Sequence, residues 1–164
     1  MARSKIYACE VGLIKLAFGS SLLTAAMGAF SGIGSFAAVA AQDMKSQWNG
    51  AYTVEQAGRG EALYTDTCSV CHGAELRGTE MAPGLIDDVF SAKWNDRTLA
   101  DLFDRIRRTM PQNDPGTLGG QQAADLLAFV LLKTNYPAGT QELPTDIDKL
   151  KMYKFLASKP GAER

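Results

Sequence analysis

The most constraining feature of this chain is the run Cys68-Ser69-Val70-Cys71-His72. It places two thiols and an imidazole at the spacing used to attach haem covalently to a polypeptide. Each thiol can add across a haem vinyl group to form a thioether, and the adjoining imidazole then becomes the proximal ligand of the iron. The motif therefore predicts one haem c, attached through Cys68 and Cys71 and ligated by His72.

Two other uses of paired cysteines compete with this interpretation. A structural zinc site takes four Cys or His ligands, but the sequence contains three Cys and one His, and Cys9 lies in a segment predicted to be removed. A redox-active dithiol is expected within a strand-helix-strand pattern, whereas the surroundings of Cys68 have helical spacing. Because haem attachment uses both remaining cysteines, the fold must be held by core packing and the prosthetic group.

The first 41 residues have the composition of an export signal. Basic residues outnumber acidic ones near the N-terminus, no charged residue occurs from Leu16 to Ala41, and the run ends in Ala38-Val39-Ala40-Ala41. We predict cleavage near Ala41 and a periplasmic location. A segment of this length can also span a bilayer, so a membrane anchor with the domain facing the periplasm is the alternative.

The charge of the exported chain argues against a nucleic-acid partner. The whole sequence carries 17 Lys and Arg against 18 Asp and Glu. Loss of residues 1–41 removes three basic side chains and one acidic side chain, which leaves a net charge of about −3. Such a surface repels a phosphate backbone, and we expect protein partners instead.

Three segments have helical spacing: residues 53–68, 98–107 and 121–133. The first two begin with a capping box, and the third is ended by a proline. The two boxes pair Thr53 with Gln56 and Thr98 with Asp101. Because no run of alternating strands occurs, the sequence predicts an all-α fold in which loops account for much of the rest, including the stretch after His72.

The helical segments place the domain boundaries. We predict a leader over residues 42–53, a haem-binding domain over 54–140 and a tail over 141–164. Gly60 and Tyr64 share one face of the first helix, and a glycine there permits close approach of the last helix. The tail has the pattern of a short basic helix, either packed on the domain or available to a partner or membrane.

The second axial position decides between an electron carrier and a haem that binds small molecules. Since no second His exists, the choices are Met, Lys or an open site. Met81 is too near His72 in sequence to reach the opposite haem face, Met44 precedes the domain and Met152 lies in the tail. Met110 follows a helix and begins a proline-bearing loop, so it is the predicted ligand; simple core filling is the alternative.

Together these features resemble the class I monohaem cytochromes c, and more specifically the cytochrome c domains and subunits associated with quinoprotein (PQQ-dependent) alcohol dehydrogenases. The general resemblance covers about residues 54–137 and rests on the haem motif, Met110-Pro111 and the terminal helix. The closer one rests on Trp94-Asn95-Asp96-Arg97-Thr98, Asp101-Leu102-Phe103, Ile106-Arg107, Met110-Pro111, Pro115-Gly116-Thr117-Leu118 and Tyr136-Pro137-Ala138-Gly139.

The resemblance implies the class I cytochrome c fold and several site residues. In that family a proline carbonyl accepts the Nδ1 proton of the proximal histidine, and Pro83 matches that position. Leu85 would then lie against the porphyrin, and the first and last helices would cross. One departure is that Gly119-Gly120 stands where the last helix usually has a Ser or similar cap.

Three arginines and one tryptophan are further candidates around the cofactor. Arg107 and Arg108 lie just before the predicted iron ligand, and Arg77 follows the haem motif, so each could pair with a propionate. A solvated cationic face is the alternative for all three. Trp94 is a candidate lid or propionate donor, with ordinary packing as its alternative.

The function expected from these features is that of a periplasmic electron carrier rather than an enzyme. It would take electrons from a periplasmic dehydrogenase, a quinoprotein by resemblance, and pass them toward a terminal oxidase or another cytochrome. The alternatives are a five-coordinate haem enzyme or gas sensor, and a membrane-anchored cytochrome subunit of a respiratory complex. The sensor requires that Met110 not bind the iron, and the subunit requires that residues 16–41 be retained.

Overall fold

The computed structural model describes residues 44–161, so the predicted export signal lies outside the described residues. Within them the prediction of an all-α architecture is confirmed, since helices are joined by loops and only one pair of two-residue strands occurs. No helix in this range is long and apolar enough to cross a membrane. In chain order the elements are β1 (Lys45–Ser46), a 3-10 helix (Gln47–Asn49), α1 (Val54–Thr67), α2 (Ser69–His72), α3 (Asp88–Trp94), α4 (Leu99–Thr109), α5 (Gly120–Lys133), α6 (Ile147–Lys151) and β2 (Tyr153–Lys154).

The crossing of α1 and α5 forms the centre of the fold. Gly60 is buried at the crossing, where a Cβ atom would overlap the carbonyl oxygen of Asp125 and crowd Phe129. One turn later the ring of Tyr64 packs on that of Phe129, with 5.2 Å between ring centroids. The predicted contact between the first and last helices is therefore confirmed. Glycine is required at position 60 because the two backbones touch there.

The helix starts follow the capping signals with one exception. The Thr98 hydroxyl accepts the Asp101 amide N–H at 3.2 Å while the Asp101 carboxylate accepts the Thr98 N–H at 2.9 Å, so the predicted box at α4 is present. At α5 Gly119 is the N-cap, and the Gln122 side chain accepts the Gly119 N–H. The unusual glycine therefore does not prevent the helix from starting at Gly120.

The exception is Gln56 in α1. Thr53 caps the helix as predicted, by accepting the Gln56 backbone N–H at 3.1 Å. The Gln56 side chain does not reach back to Thr53, so that half of the predicted box is wrong. Its amide is fully buried and pairs with the backbone of Leu143, donating to the carbonyl at 3.2 Å and accepting the N–H at 2.7 Å. A buried amide with two backbone partners is better satisfied than one at a solvated helix end.

The predicted leader is part of the packed domain from Lys45 onward. β1 pairs in parallel with β2, and Gln47 and Tyr52 are fully buried. The Gln47 amide donates to the Leu156 carbonyl at 2.5 Å and accepts the Leu156 N–H at 3.0 Å. The Leu156 backbone that binds Gln47 lies more than 100 residues away along the chain. The segment around Gln47 is also too short to show a hydrophobic period, so its burial could not be predicted from the sequence.

The tail also packs on the domain. Leu150 of α6 and Phe155 after β2 are almost fully buried, and α6 ends at Lys151 rather than continuing through Tyr153. Of the two interpretations of the tail, the structure shows the packed helix. Helix α3, which the sequence did not predict, completes this side of the domain. In the order Trp94, Phe90, Phe155 and Tyr136, successive ring centroids are 5.5 to 6.2 Å apart.

Replacement of Gln56 by leucine tests how the tail is held. The substitution keeps most of the side-chain volume but leaves the buried N–H and C=O of Leu143 without partners, so we expect a loss of about 2 kcal/mol in the free energy of unfolding. Urea denaturation of the haem-loaded protein measures it. The exposed Gln141 supplies the control, since Gln141→Leu should change stability by less than about 0.5 kcal/mol. Equal losses in the two variants would contradict this role for Gln56.

Candidate haem-binding site

Cys68 lies at the junction of α1 and α2, and Cys71 lies within α2. Cys68 ends α1 and begins α2, a four-residue helix that ends at His72. Cys68 and Cys71 carry free thiols and are half-buried, whereas Val70 between them is 72% exposed. One turn of helix thus turns both thiols away from the exposed side of α2, where Val70 lies.

The alternatives to haem attachment find no support at these thiols. Burial, and then the neighbouring Cys71, raises the pKa of Cys68 to about 11. A redox-active dithiol needs a depressed pKa in order to present a thiolate, so this environment has the opposite effect. Among residues 44–161 no group of three or more His, Cys, Asp or Glu side chains converges to hold a metal ion, and a zinc site there would lack ligands.

His72 is oriented by the carbonyl of Pro83. The distance from His72 Nδ1 to Pro83 O is 2.9 Å. Because a carbonyl oxygen can only accept, Nδ1 carries the proton in this contact, and the lone pair of Nε2 is left free for a metal. A hydrogen bond of this kind fixes the ring and raises its basicity as a ligand. The geometry agrees with the role that the resemblance implies for Pro83.

The loop after α2 holds Pro83 in place. It folds back on itself through a bridge between Gly78 and Pro83 and a hydrogen bond from the Leu85 N–H to the Leu76 carbonyl at 2.8 Å. Leu76 is fully buried and anchors the loop to the core, while Leu85 is half-buried. The predicted irregular stretch therefore contains neither helix nor strand, but it is tied down at both ends.

Met110 lies at the end of α4, where it is the C-cap residue. Its side chain is half-buried and packs against the core, whereas Met81 is 67% exposed and Met44 is 55% exposed. Met110 is thus held by the protein and the other two are not. Its role as the second axial ligand stays a prediction.

The candidate arginines are on the surface, whereas the candidate tryptophan is buried. Arg77 and Arg107 are exposed, and Arg108 is paired with Asp104 one turn earlier on α4. Trp94 is buried in α3 and contacts Phe90, with the Arg97 guanidinium 5.5 Å from its ring. These contacts are those of ordinary packing, and a role for Trp94 or the arginines at the haem stays a prediction.

The segments that carry the candidate ligands also leave apolar side chains partly exposed, as the binding of a large apolar group requires. Six apolar side chains pack against the core but remain partly exposed, and they come from the end of α1, the loop before α3 and the end of α4. Such side chains are left incompletely covered by the protein itself. These residues are Leu63, Cys68, Leu85, Ile86, Ile106 and Met110.

The match to one protein family agrees with haem attachment at this site. Residues 55–130, a little under half of the chain, match the family described as cytochrome C oxidase, cbb3-type, subunit III. Among solved structures, the sulfane dehydrogenase SoxCD from Paracoccus pantotrophus is similar at 18% identity and a TM-score of 0.45, over 64% of this chain and 60% of that one. The chain thus spans less than two thirds of the length of that structure. No curated protein sequence matches the present chain.

The helical architecture, together with the match over residues 55–130, shows a domain with the class I cytochrome c fold. The cofactor of such a domain is a covalently bound haem c, whose iron carries electrons. Both were predicted from the sequence, and both are confirmed.

Proposed function

We propose that the protein is a periplasmic carrier of single electrons whose haem iron is ligated by His72 and Met110. The contact between His72 Nδ1 and the Pro83 carbonyl carries the proposal, because it leaves Nε2 as the only free ligand atom of the only histidine in the chain. When bound, the haem supplies reversible one-electron chemistry at its iron.

The residues of the chain keep the ligands from changing. Cys68 and Cys71 tether the cofactor beside His72, and Pro83 holds the imidazole in one orientation. Met110 offers a neutral thioether from a half-buried position at the end of α4, and such a ligand favours the reduced metal. If His72 and Met110 both held the iron, they would leave no place on it for peroxide or oxygen, as a carrier requires.

The redox partners and the periplasmic location that we propose rest on the sequence. The resemblance to cytochromes associated with quinoprotein alcohol dehydrogenases favours a periplasmic dehydrogenase as donor, and the acceptor is then a terminal oxidase or another cytochrome. Residues 1–41 would direct export and be cleaved near Ala41. We do not expect an enzymatic activity of its own, although the protein would serve as the electron-transfer subunit of a dehydrogenase equally well.

Absorption spectroscopy of the purified haem-loaded protein tests the ligand set. We expect the weak red band of a methionine-ligated ferric haem, and a reduced form that does not bind carbon monoxide. Rapid binding of carbon monoxide by the unmodified reduced protein would contradict the proposal and favour the gas sensor. Intact mass tests the compartment, since a mature chain beginning near residue 42 is the expected product.

The family match favours a second candidate, a cytochrome subunit of a respiratory complex. The family is described as an oxidase subunit, and the uncharged stretch over residues 16–41 could anchor such a subunit. Co-purification separates the two candidates. A carrier is released with the periplasmic fraction, whereas a subunit stays in the membrane, requires detergent and elutes with an oxidase.

A further inference from the structure

The backbone around His72 is held by hydrogen bonds from outside its own helix. α2 has only four residues, so its last carbonyls have no partners within the helix. Three successive carbonyls nevertheless each accept a hydrogen bond. Cys71 O accepts from the Thr79 hydroxyl at 2.6 Å, His72 O from the Gly78 N–H at 2.9 Å, and Gly73 O from the Tyr64 hydroxyl at 2.6 Å and the Leu76 N–H at 3.1 Å.

Tyr64 differs from the other donors in where it comes from. Thr79, Gly78 and Leu76 belong to the loop that directly follows α2. Tyr64 belongs to α1 and is 2% exposed, with its ring packed on Phe129 of α5. Its hydroxyl therefore links α1, where it packs on α5, to the residue directly after His72.

We propose that Tyr64 is a positioning residue for the proximal histidine. By fixing the carbonyl of Gly73, its hydroxyl sets the direction of the backbone that carries His72 and so keeps Nδ1 at the Pro83 carbonyl. The inference rests on the proposed function only in taking His72 as an iron ligand. It does not depend on which residue occupies the other axial position.

Loss of the Tyr64 hydroxyl should change the midpoint potential of the iron through the His72 imidazole. A Gly73 carbonyl held only by the Leu76 N–H allows the hydrogen bond from His72 to Pro83 to lengthen. A histidine with a weaker Nδ1 hydrogen bond is a less basic ligand. A less basic ligand stabilises the ferric iron less. The midpoint potential of a variant without the hydroxyl should therefore rise.

The test compares Tyr64→Phe with Tyr52→Phe in the haem-loaded protein. Both replacements remove one hydroxyl that donates to a backbone carbonyl, and both keep a buried ring; Tyr52 donates to the Tyr136 carbonyl at 2.7 Å, outside the haem motif and the loop after it. We expect a higher midpoint potential in Tyr64→Phe alone. We also expect amide exchange at Gly78 to be about 5-fold faster in that variant only, as loss of one hydrogen bond predicts.

An unchanged or lowered potential in Tyr64→Phe, with exchange like that of Tyr52→Phe, overturns the proposal. If Tyr64→Phe does not fold, Thr79→Val is tested instead. Thr79 is exposed, and its replacement by valine removes the hydrogen bond to the Cys71 carbonyl, which lies next to His72. A raised potential in Thr79→Val supports the positioning of His72 by its flanking carbonyls, and an unchanged one overturns it. Failure of the proposed function is seen separately, in the spectrum and carbon monoxide binding of the unmodified protein.

Discussion

Replacement of Gly60 by alanine is expected to destabilise the domain by about 3 kcal/mol or more, because the two central helices can no longer cross at their present distance. The added Cβ would overlap the Asp125 carbonyl, which is backbone and cannot rotate away. Alanine favours a helix over glycine by about 1 kcal/mol, which is too little to offset such an overlap. Denaturant unfolding of the haem-loaded protein gives the difference directly.

Gly58 provides a matched control in the same helix. A Cβ atom there meets no heavy atom within 4 Å, so Gly58→Ala gains helix propensity without a clash. We expect it to stabilise the protein by about 0.5 to 1 kcal/mol. Opposite signs for two identical substitutions two residues apart would identify the helix contact as the cause. If Gly60→Ala were as stable as Gly58→Ala, the helices would not touch at this point.

Local signals in the sequence were sufficient to predict most of the helical framework. Capping residues, apolar spacing and prolines place the ends of α1, α4 and α5 within one or two residues, because each signal acts within one turn of the helix it marks. The same reasoning missed α3, which has only seven residues. It also missed the strand pair of Lys45–Ser46 with Tyr153–Lys154, because strands of two residues have no measurable period.

Long-range polar contacts were beyond sequence reasoning for a different reason. Asp125 occurs in the middle of the apolar α5 and would be expected to face solvent, yet its side chain is 9% exposed. It accepts two hydrogen bonds from the Arg59 guanidinium, both at 3.0 Å, and another from the Gln121 amide at 2.8 Å. A buried carboxylate is tolerated only when such partners are present, and Arg59 lies 66 residues earlier in the chain.

The residues of the candidate site also divide into those that a local motif predicts and those whose contacts depend on the fold. Cys68, Cys71 and His72 follow from one local motif, because the attachment chemistry fixes their spacing. The role of Pro83 was predicted from the family resemblance alone, because no spacing rule connects Pro83 with His72. The Tyr64 hydroxyl was missed: helical spacing places the tyrosine on the inner face, but its partner depends on how the chain turns after α2.

The second large effect is expected from Met110→Ala. Loss of the thioether should lower the midpoint potential by on the order of 0.1 V, within the range of about 0.8 V that axial ligands span. It should also open the reduced haem to carbon monoxide and abolish the red methionine band. Potentiometry and carbon monoxide titration measure these changes, and they require only that Met110 be the sulfur on the iron.

Met81→Ala is the control for Met110→Ala, because Met81 is the nearer methionine to His72 in sequence yet is mostly exposed. We expect it to keep the potential, the red band and the resistance to carbon monoxide of the unmodified protein. If Met81→Ala opened the haem and Met110→Ala did not, the ligand would come from the loop that also holds Pro83. Both axial contacts would then depend on residues 73–85, and α4 would only cover the site.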